Sequence, residues 1–265
     1  MKLQIPKGEG NFMIADQRLN EILQIMSQKE FVEVEDLAAR MKVSSMTIRR
    51  DLQKLSDMGM VRRQYGGASL VTDAQLENDY SSKKVKNQTN KQKLAQIALK
   101  QIHKNDIIYL DAGTTIFELA SILNSRQNLT VITNDILIAT DLCKRDINTI
   151  LLGGTIQKAT LVTIGSSTLD SLQDFRVTSS FLGASAISTA FDVLSPTVDK
   201  AHLKKIAMQI AQKTYLMVDS SKFNNYALQK FANLSDFTGV ITDRKFSQAE
   251  RSKLDSLYIN ILDTV

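Results

Sequence analysis

The chain predicts an α/β protein in two parts: a small helical unit closed by a β-hairpin, then a larger unit in which helices and strands alternate in layers. Three observations carry this. Its 265 residues exceed one average domain, and 43% hydrophobic with 23% charged residues is a globular composition with apolar side chains for two cores. Up to Val71 the apolar residues recur mainly at helical spacing. Beyond Lys91, short β-rich runs alternate with helical ones, the texture of a parallel layered sheet. From Thr72 to Asn90 apolar residues thin out, and Asp, Ser, Asn, Gln and Lys mark a connection. The expected units are therefore residues 1–71 and 91–265, joined by 72–90.

In chain order, residues 1–12, MKLQIPKGEGNF, precede Met13 and read as a flexible tail or an upstream start. They lack the apolar core of a signal peptide. Asp16 to Gln28 is a supporting helix with Leu19, Ile22, Leu23 and Met26 on its buried face. Glu33 to Met41 is a short amphipathic helix with Val34, Leu37, Ala38 and Met41 inward, and Lys42-Val43-Ser44 is its tight exit. Ser44 is a good N-cap for the next helix, in which Ile48, Leu52 and Leu55 form an apolar seam at i, i+4 and i+7. Met46, Arg49, Arg50 and Gln53 lie opposite that seam, with Ser45 and Thr47 in the first turn. Gly59 supplies a left-handed stop, Met60 to Gln64 a strand, Tyr65-Gly66-Gly67 a turn, and Ala68 to Val71 the return.

Two short helices joined by a brief turn form a helix-turn-helix, whose second helix is shaped to enter a DNA major groove; the hairpin makes it a winged variant. Charge separates this from an ordinary helical subdomain. Arg40, Lys42, Arg49, Arg50, Lys54, Arg62 and Arg63 face only Asp51 and Asp57 between positions 40 and 65, a local excess equal to the +5 of the whole chain. The expected DNA-facing set is Ser44, Ser45, Met46, Thr47, Arg49, Arg50, Gln53 and Lys54 on the helix, with Arg62, Arg63 and Tyr65 on the wing.

Composition also excludes classes. Cys143 is the only cysteine, so no intrachain disulfide or cysteine zinc site is available, and two isolated histidines, His103 and His202, argue against a metal site or metal cofactor. Cys143, at the end of a helix, is expected to be a small buried hydrophobe, and both histidines surface or interface residues. No run is long enough to cross a membrane, and a cytoplasmic protein is expected. Ser81 to Asn105 holds seven lysines and no acid, which fits a solvated helix as well as auxiliary contact with DNA phosphates.

In the second unit, Lys91 to His103 is helical with Leu94, Ile97, Ala98 and Ile102 inward, Ile107 to Leu110 is a buried strand, and Thr115 to Leu123 a helix. Strands at Leu129 to Thr133 and Ile147 to Leu152 flank a helix at Asp135 to Leu142. Later come a strand near Phe181-Leu182, a helix from Val198 to Lys213, strands at Tyr215 to Val218 and Thr238 to Thr242, a helix from Ser247 to Leu257, and a last strand at Tyr258 to Leu262. Ligands of such sheets bind beyond the carboxyl ends of the strands. The turns there share a chemistry: Asp111-Ala112-Gly113-Thr114-Thr115, Thr133-Asn134, Gly153-Gly154-Thr155, Gly183-Ala184-Ser185 and Asp219-Ser220-Ser221-Lys222. Glycine lets backbone approach an anion, hydroxyls and helix-start N–H groups donate to it, and lysine supplies charge. Asp111 and Asn134 suit sugar hydroxyls. The set points to a phosphorylated polar ligand.

On these residues the chain, from about Ile14 onward, resembles transcriptional regulators of the DeoR family. The resemblance rests on Val43-Ser44, Thr47 to Leu52, Leu55, Gly59, Arg62 and Gly66-Gly67-Ala68 in the first unit. In the second it rests on Asn87, Lys91, Asp111 to Thr115, Thr133-Asn134, Leu152 to Thr155, Gly165, Phe181 to Ala184, Ala201 with Lys204, and Asp219 to Phe223. It implies a C-terminal domain similar to ribose-5-phosphate isomerases that senses a phosphorylated sugar or sugar alcohol. The implied effector-binding set is Asp111, Gly113, Thr114, Thr115, Thr133, Asn134, Gly153, Gly154, Gly183, Lys204, Asp219, Ser221 and Lys222. Three positions depart from the family pattern: Ala186 where glycine is frequent, Lys200 where an acid commonly precedes Ala201, and Lys83 where arginine is usual.

Two function classes follow. One is a DNA-binding regulator, a repressor of a carbohydrate operon, whose operator affinity a sugar phosphate controls. It is expected to act as a homo-oligomer, a dimer or tetramer joined through its C-terminal domain. The alternative is an isomerase-like sugar-phosphate enzyme with an accessory nucleic-acid module. Isomerisation needs a carboxylate base and a partner for the enediolate, and Asp111, Asp219 and Lys204 are the available groups. Gly183 to Ala186 offers no acid at its strand end, so no catalytic residue is assigned.

Overall fold

A computed structural model describes residues 15–26, 29, 31–57, 60–70 and 86–263. The chain divides into two compact units, Met1–Val71 and Thr72–Val265. The expected stop at Gly59, the tail 1–12, the connection up to position 85 and Lys83 lie outside the described residues.

The first unit contains α1 (Ala15–Met26), β1 (Val32–Glu33), α2 (Val34–Met41), α3 (Ser45–Asp57), β2 (Val61–Gln64) and β3 (Gly67–Leu70). The expected apolar faces meet. Leu19, Ile22, Leu23 and Met26 of α1, Leu37 of α2, and Ile48, Leu52 and Leu55 of α3 are all buried, the α3 seam completely. The wing is a three-stranded antiparallel sheet in the order β1-β3-β2, rather than a hairpin alone. Two residues of β1 were too short a run to register as a strand. Gly67 is placed where a Cβ would lie 2.2 Å from the Val32 carbonyl oxygen, so only glycine admits this third strand.

Asp51 has a different role from the one its position suggests. It is buried, and Arg18 of α1 clasps it with Nε to Oδ2 at 2.5 Å and Nη2 to Oδ1 at 3.2 Å. That bond to Asp51 raises the Arg18 pKa against the opposing effect of burial. The pair joins α1 to α3 across 33 positions.

The second unit is built on a seven-stranded parallel sheet. Its strands are β4 (Ile107–Leu110), β5 (Thr130–Thr133), β6 (Asn148–Leu151), β9 (Val177–Leu182), β12 (Ala211–Met217), β14 (Gly239–Thr242) and β15 (Ile261–Asp263). They run in the order β15-β14-β12-β9-β4-β5-β6, so β4 and β9 are central neighbours. Helices α4 (Gln88–Leu99), α5 (Thr114–Ile122), α6 (Ile136–Lys144), α7 (Ser166–Gln173), α8 (Val198–Gln209) and α9 (Gln248–Ser256) accompany the sheet. Two apolar cores form, one around Leu94, Ile108, Leu119, Val131 and Phe181, the other around Tyr109, Ile132, Leu182, Leu216 and Val240. Alternate residues of one strand thus feed opposite cores, as a sheet covered on both faces requires.

Several elements had no clear signal: a hairpin of β7 (Thr155–Gln157) and β8 (Val162–Ile164), helix α7, and a small antiparallel sheet of β10 (Ala186–Ile187), β11 (Asp192–Ser195) and β13 (Gln229–Asn233). Helix α8 ends at Gln209 rather than at Lys213, because Ala211 to Lys213 already pair with β9 as the start of β12. Helix α4 begins at Gln88, inside the stretch expected as connection. Within the lysine run, Lys86, Lys93, Lys100 and Lys104 are exposed, but Lys91 is buried on the inner face of α4. Cys143 is exposed, contrary to expectation, because Leu142 and not its neighbour turns inward from α6. His103 and His202 are both exposed. No helix of the described residues is long and apolar enough to cross a membrane.

Candidate nucleic-acid interface and effector site

Helix α3 presents its polar face as its sequence period dictates. The Ser44 Oγ accepts from the Thr47 backbone N–H at 3.2 Å, and the Ser44 carbonyl accepts from Ile48 N at 3.2 Å, which fixes where the helix starts. Met46 is 67% exposed, and Arg49, Arg50, Gln53 and Lys54 are exposed with it. Ser45 and Thr47 are half-buried in the first turn. The wing reaches this face, since Arg63 donates to Gln53 Oε1 at 2.6 Å and Gln53 donates onward to Asp57 at 2.7 Å. Tyr65 is fully exposed at the wing tip. The side chain of Arg62 lies outside the described set.

Glu35 of α2 is a member of this surface that the charge count passed over. It accepts from Ser45 Oγ at 2.6 Å and stands 3.8 Å from Arg49. Glu35 sits in the first turn of α2, where an acid favours the helix N-terminus, and its contact with Arg49 is exposed on both sides.

In the second unit the expected turns all fall at the carboxyl edge of the parallel sheet, ordered Asp219, Gly183, Asp111, Asn134 and Gly153 across β12, β9, β4, β5 and β6. Three strand spacings of about 4.8 Å separate Asp219 from Asn134, a width of about 14 Å. At the centre, Asp111 and Lys204 form a buried ion pair. The Asp111 Oδ2 also accepts from Gly183 N at 2.9 Å, and Lys204 donates to the Gly183 carbonyl at 3.0 Å. Lys204 reaches this point from α8, 93 positions away in sequence.

Beside the pair, Gly113 holds φ 139 and ψ 161, a conformation open in practice only to glycine, at the start of α5. No side chain caps this helix, and Thr114 and Thr115 stand half-buried at its mouth. Gly113 N instead donates to Asp135 Oδ2 at 3.3 Å. Asp135 is fully buried and caps α6, accepting from Leu137 N at 2.9 Å and Ile138 N at 3.1 Å. Burial pushes its pKa up to about 6 against the three backbone bonds, and the charge of Asp111 adds to the rise. Burial also raises the Tyr109 hydroxyl well above the usual phenol value.

Asn134 and Thr133 face inward. Asn134 accepts from Tyr109 Oη at 3.1 Å and donates to the Thr163 carbonyl at 3.0 Å, so both ends of its amide are engaged within the fold. Thr133 is buried, its Oγ1 accepting from Asp135 N at 3.1 Å. Gly153 accepts from Thr168 Oγ1 at 2.7 Å through its carbonyl, and a Cβ on Gly154 would meet that same oxygen at 2.1 Å. This turn is a close crossing of two backbones. On the other side, Asp219 accepts from Ser221 N at 2.9 Å, from the Ser221 hydroxyl, and from Asn87 Nδ2 at 3.2 Å, while Lys222 is half-buried in the single 3-10 turn that follows. Asp243, which follows β14, accepts from Asn90 at 2.5 Å and from Ser220 N at 2.6 Å. The sequence singled out neither Asp135 nor Asp243. For Asp135 a signal existed, an acid directly before the apolar run of α6. Among the described residues no His, Cys, Asp and Glu cluster could hold a metal ion.

Comparison with known proteins matches both units. The DeoR-like helix-turn-helix domain model matches residues 18–74, and the DeoR C terminal sensor domain model matches residues 86–244. The HTH-type transcriptional regulator FruR of Bacillus subtilis is 32% identical over 87% of this chain and 92% of its own. The glycerol-3-phosphate regulon repressor of Escherichia coli is 30% identical over 86% of this chain and 90% of its own. Among solved structures, ribose 5-phosphate isomerase A of Methanocaldococcus jannaschii matches 52% of this chain and 55% of its own at a TM-score of 0.39 and 19% identity. With both domain models matched in order and its relatives aligned along most of their length, the chain belongs to the DeoR family of DNA-binding transcriptional regulators.

Proposed function

We propose that the protein represses a carbohydrate-utilisation operon, and that a phosphorylated sugar bound at the carboxyl edge of the large sheet sets its operator affinity. The observation that carries this is the pairing of a buried, charge-neutral Asp111–Lys204 couple with the uncapped glycine start of α5. Because Lys204 is neutralised by Asp111, it suits hydroxyl recognition better than phosphate binding. The phosphate falls to the N–H groups and hydroxyls at Thr114 and Thr115, with the Lys222 charge in the turn after β12. The similarity to a glycerol-3-phosphate regulon repressor supports a phosphorylated polyol or sugar as the effector class.

The reading is of a regulator rather than an enzyme. Asp111, Asp135 and Asp219 each accept several hydrogen bonds within the fold, and each is accounted for as an ion-pair partner, a helix cap or a turn brace, which favours the regulator. Absence of turnover on pentose and hexose phosphates that nevertheless release operator is the expected result.

Arg50 tests the DNA side. It is exposed on α3, and losing one good bidentate base contact costs about 1–3 kcal/mol. Arg50→Ala should weaken operator binding at fixed salt by about tenfold or more with an unchanged melting temperature. Unaltered affinity would remove this face from the interface. One helix in one groove reads few base pairs, so the working form is an even-numbered homo-oligomer, joined through the C-terminal unit.

A further inference from the structure

We infer that the buried hydroxyl of Ser195 is a further effector-binding group, which takes a sugar hydroxyl at the end of the ligand away from its phosphate; the inference rests on the sugar-phosphate site proposed above. Among the described residues four buried side-chain atoms have no hydrogen-bond partner, and two of them are serine hydroxyls, those of Ser179 and Ser195. A buried hydroxyl left unpaired destabilises a fold, so each calls for a reason. Ser195 is the last residue of β11 and is fully buried.

Its surroundings supply the reason. The carbonyl of Leu194, the residue before it, accepts from Ser185 N at 3.0 Å, which fixes the end of β11 beside the Gly183 to Ser185 turn. On a strand, residues two apart share a face, and Val193 gives that face to the core in which Ala201, Leu203 and Ala207 of α8 are packed. Ser195 therefore faces the side from which α8 sends Lys204 to Asp111. An ammonium group has three donors. Asp111 and the Gly183 carbonyl take two of those on Lys204, and the Phe231 ring centre lies 5.7 Å from its nitrogen. Helix α5 lies on the opposite side of the sheet, with Ile116 and Leu119 in the other core. A ligand whose phosphate is held at Thr114 thus reaches across the strand ends and brings its far end to Lys204. There a sugar hydroxyl accepts from the third Lys204 donor and donates to Ser195 Oγ. The depth matches, since Asp111 and Lys204 are themselves only 3% and 7% exposed.

The second unpaired hydroxyl is the control. Ser179 pairs with Ile108 on β4 and with Lys213 on β12, so it lies within the sheet rather than at its carboxyl edge. Full-length protein is titrated calorimetrically with ribose 5-phosphate, fructose 1-phosphate, fructose 6-phosphate and glucose 6-phosphate. Ser195→Ala should weaken the tightest of them by about tenfold or more, while Ser179→Ala stays within about twofold of wild type. Because each substitution removes an unpaired hydroxyl, neither should lower the melting temperature. Wild-type affinity in Ser195→Ala would mean that the hydroxyl serves an ordered water only. Lower affinity together with a lower melting temperature, or an equal loss in Ser179→Ala, would assign it to the fold. Either result overturns the Ser195 contact and leaves the α5 site standing, which Thr114→Val tests by itself. Binding of none of the four sugar phosphates would overturn both.

Discussion

The turns after β4 and β5 occupy neighbouring strand ends, open successive helices, and read in sequence as similar polar punctuation. Their treatment of charge is opposite. At Asp135 the chain fills the start of α6 with its own carboxylate, so an external anion meets an occupied site. At Gly113 it removes the side chain altogether and leaves the start of α5 uncapped, beside an Asp111 whose charge Lys204 cancels. An anion site therefore needs more than a helix N-terminus. Under the proposed function the anion goes to the first turn of the pair, which alone of the two combines a missing cap with a neutralised neighbour. Asp135 also holds Gly113 N, so the closed turn braces the open one.

The largest expected effect tests the neutralised neighbour. Lys204→Met should leave the Asp111 carboxylate buried without its partner, which typically costs about 3–5 kcal/mol. Calorimetry of the C-terminal unit should show that loss, and Asp111→Asn in the same chain should restore part of it. Wild-type stability in the single variant would mean that the α5 turn is not built on this pair.

The next effect separates the two turns by pH. Asp135 has its folded pKa raised to about 6 by burial, so the folded state holds a proton that the unfolded chain releases near the ordinary aspartate value. Stability relative to Asp135→Asn should be highest at low pH, fall as pH climbs from about 4 to about 6, and stay level above. Two pKa units correspond to about 3 kcal/mol. Asparagine is itself a good cap, so α6 should survive the substitution. Parallel stability curves for the two proteins across that range would show that Asp135 ionises freely.

Much of this arrangement was legible in the sequence, and the exceptions share a cause. The α3 seam, the basic face and the strand-end turns were readable because each is a local pattern of period or composition. What was hidden depends on partners remote in the chain. Arg18 finds Asp51, Lys204 finds Asp111, and Asn134 bonds Tyr109 and Thr163, so residues of one type become strut or site according to who meets them. Asn134, expected to hold sugar hydroxyls, has both ends of its amide engaged. The third wing strand was unreadable for a related reason, since two residues pair only because Gly67 admits the Val32 carbonyl.

The smallest effect on stability is the most specific to function. Thr114 is half-buried at the mouth of α5, at a helix start that no side chain caps. Valine matches its shape, so Thr114→Val should change stability by no more than about 0.5 kcal/mol, the range for surface substitutions. Under the proposed function the hydroxyl donates to the phosphate at the uncapped helix start, and a hydrogen bond to a charged group contributes about 1.5–3 kcal/mol. The concentration of phosphorylated sugar needed to release operator should therefore rise by tenfold or more, while ligand-free operator binding stays at the wild-type value. The control is Ser252→Ala on α9, remote from both turns, whose hydroxyl donates to the Gln248 carbonyl within its own helix. That variant should leave the ligand response unchanged. Equal shifts in both would show that the effect is not local to the α5 turn, and a wild-type response in Thr114→Val would move the phosphate away from α5.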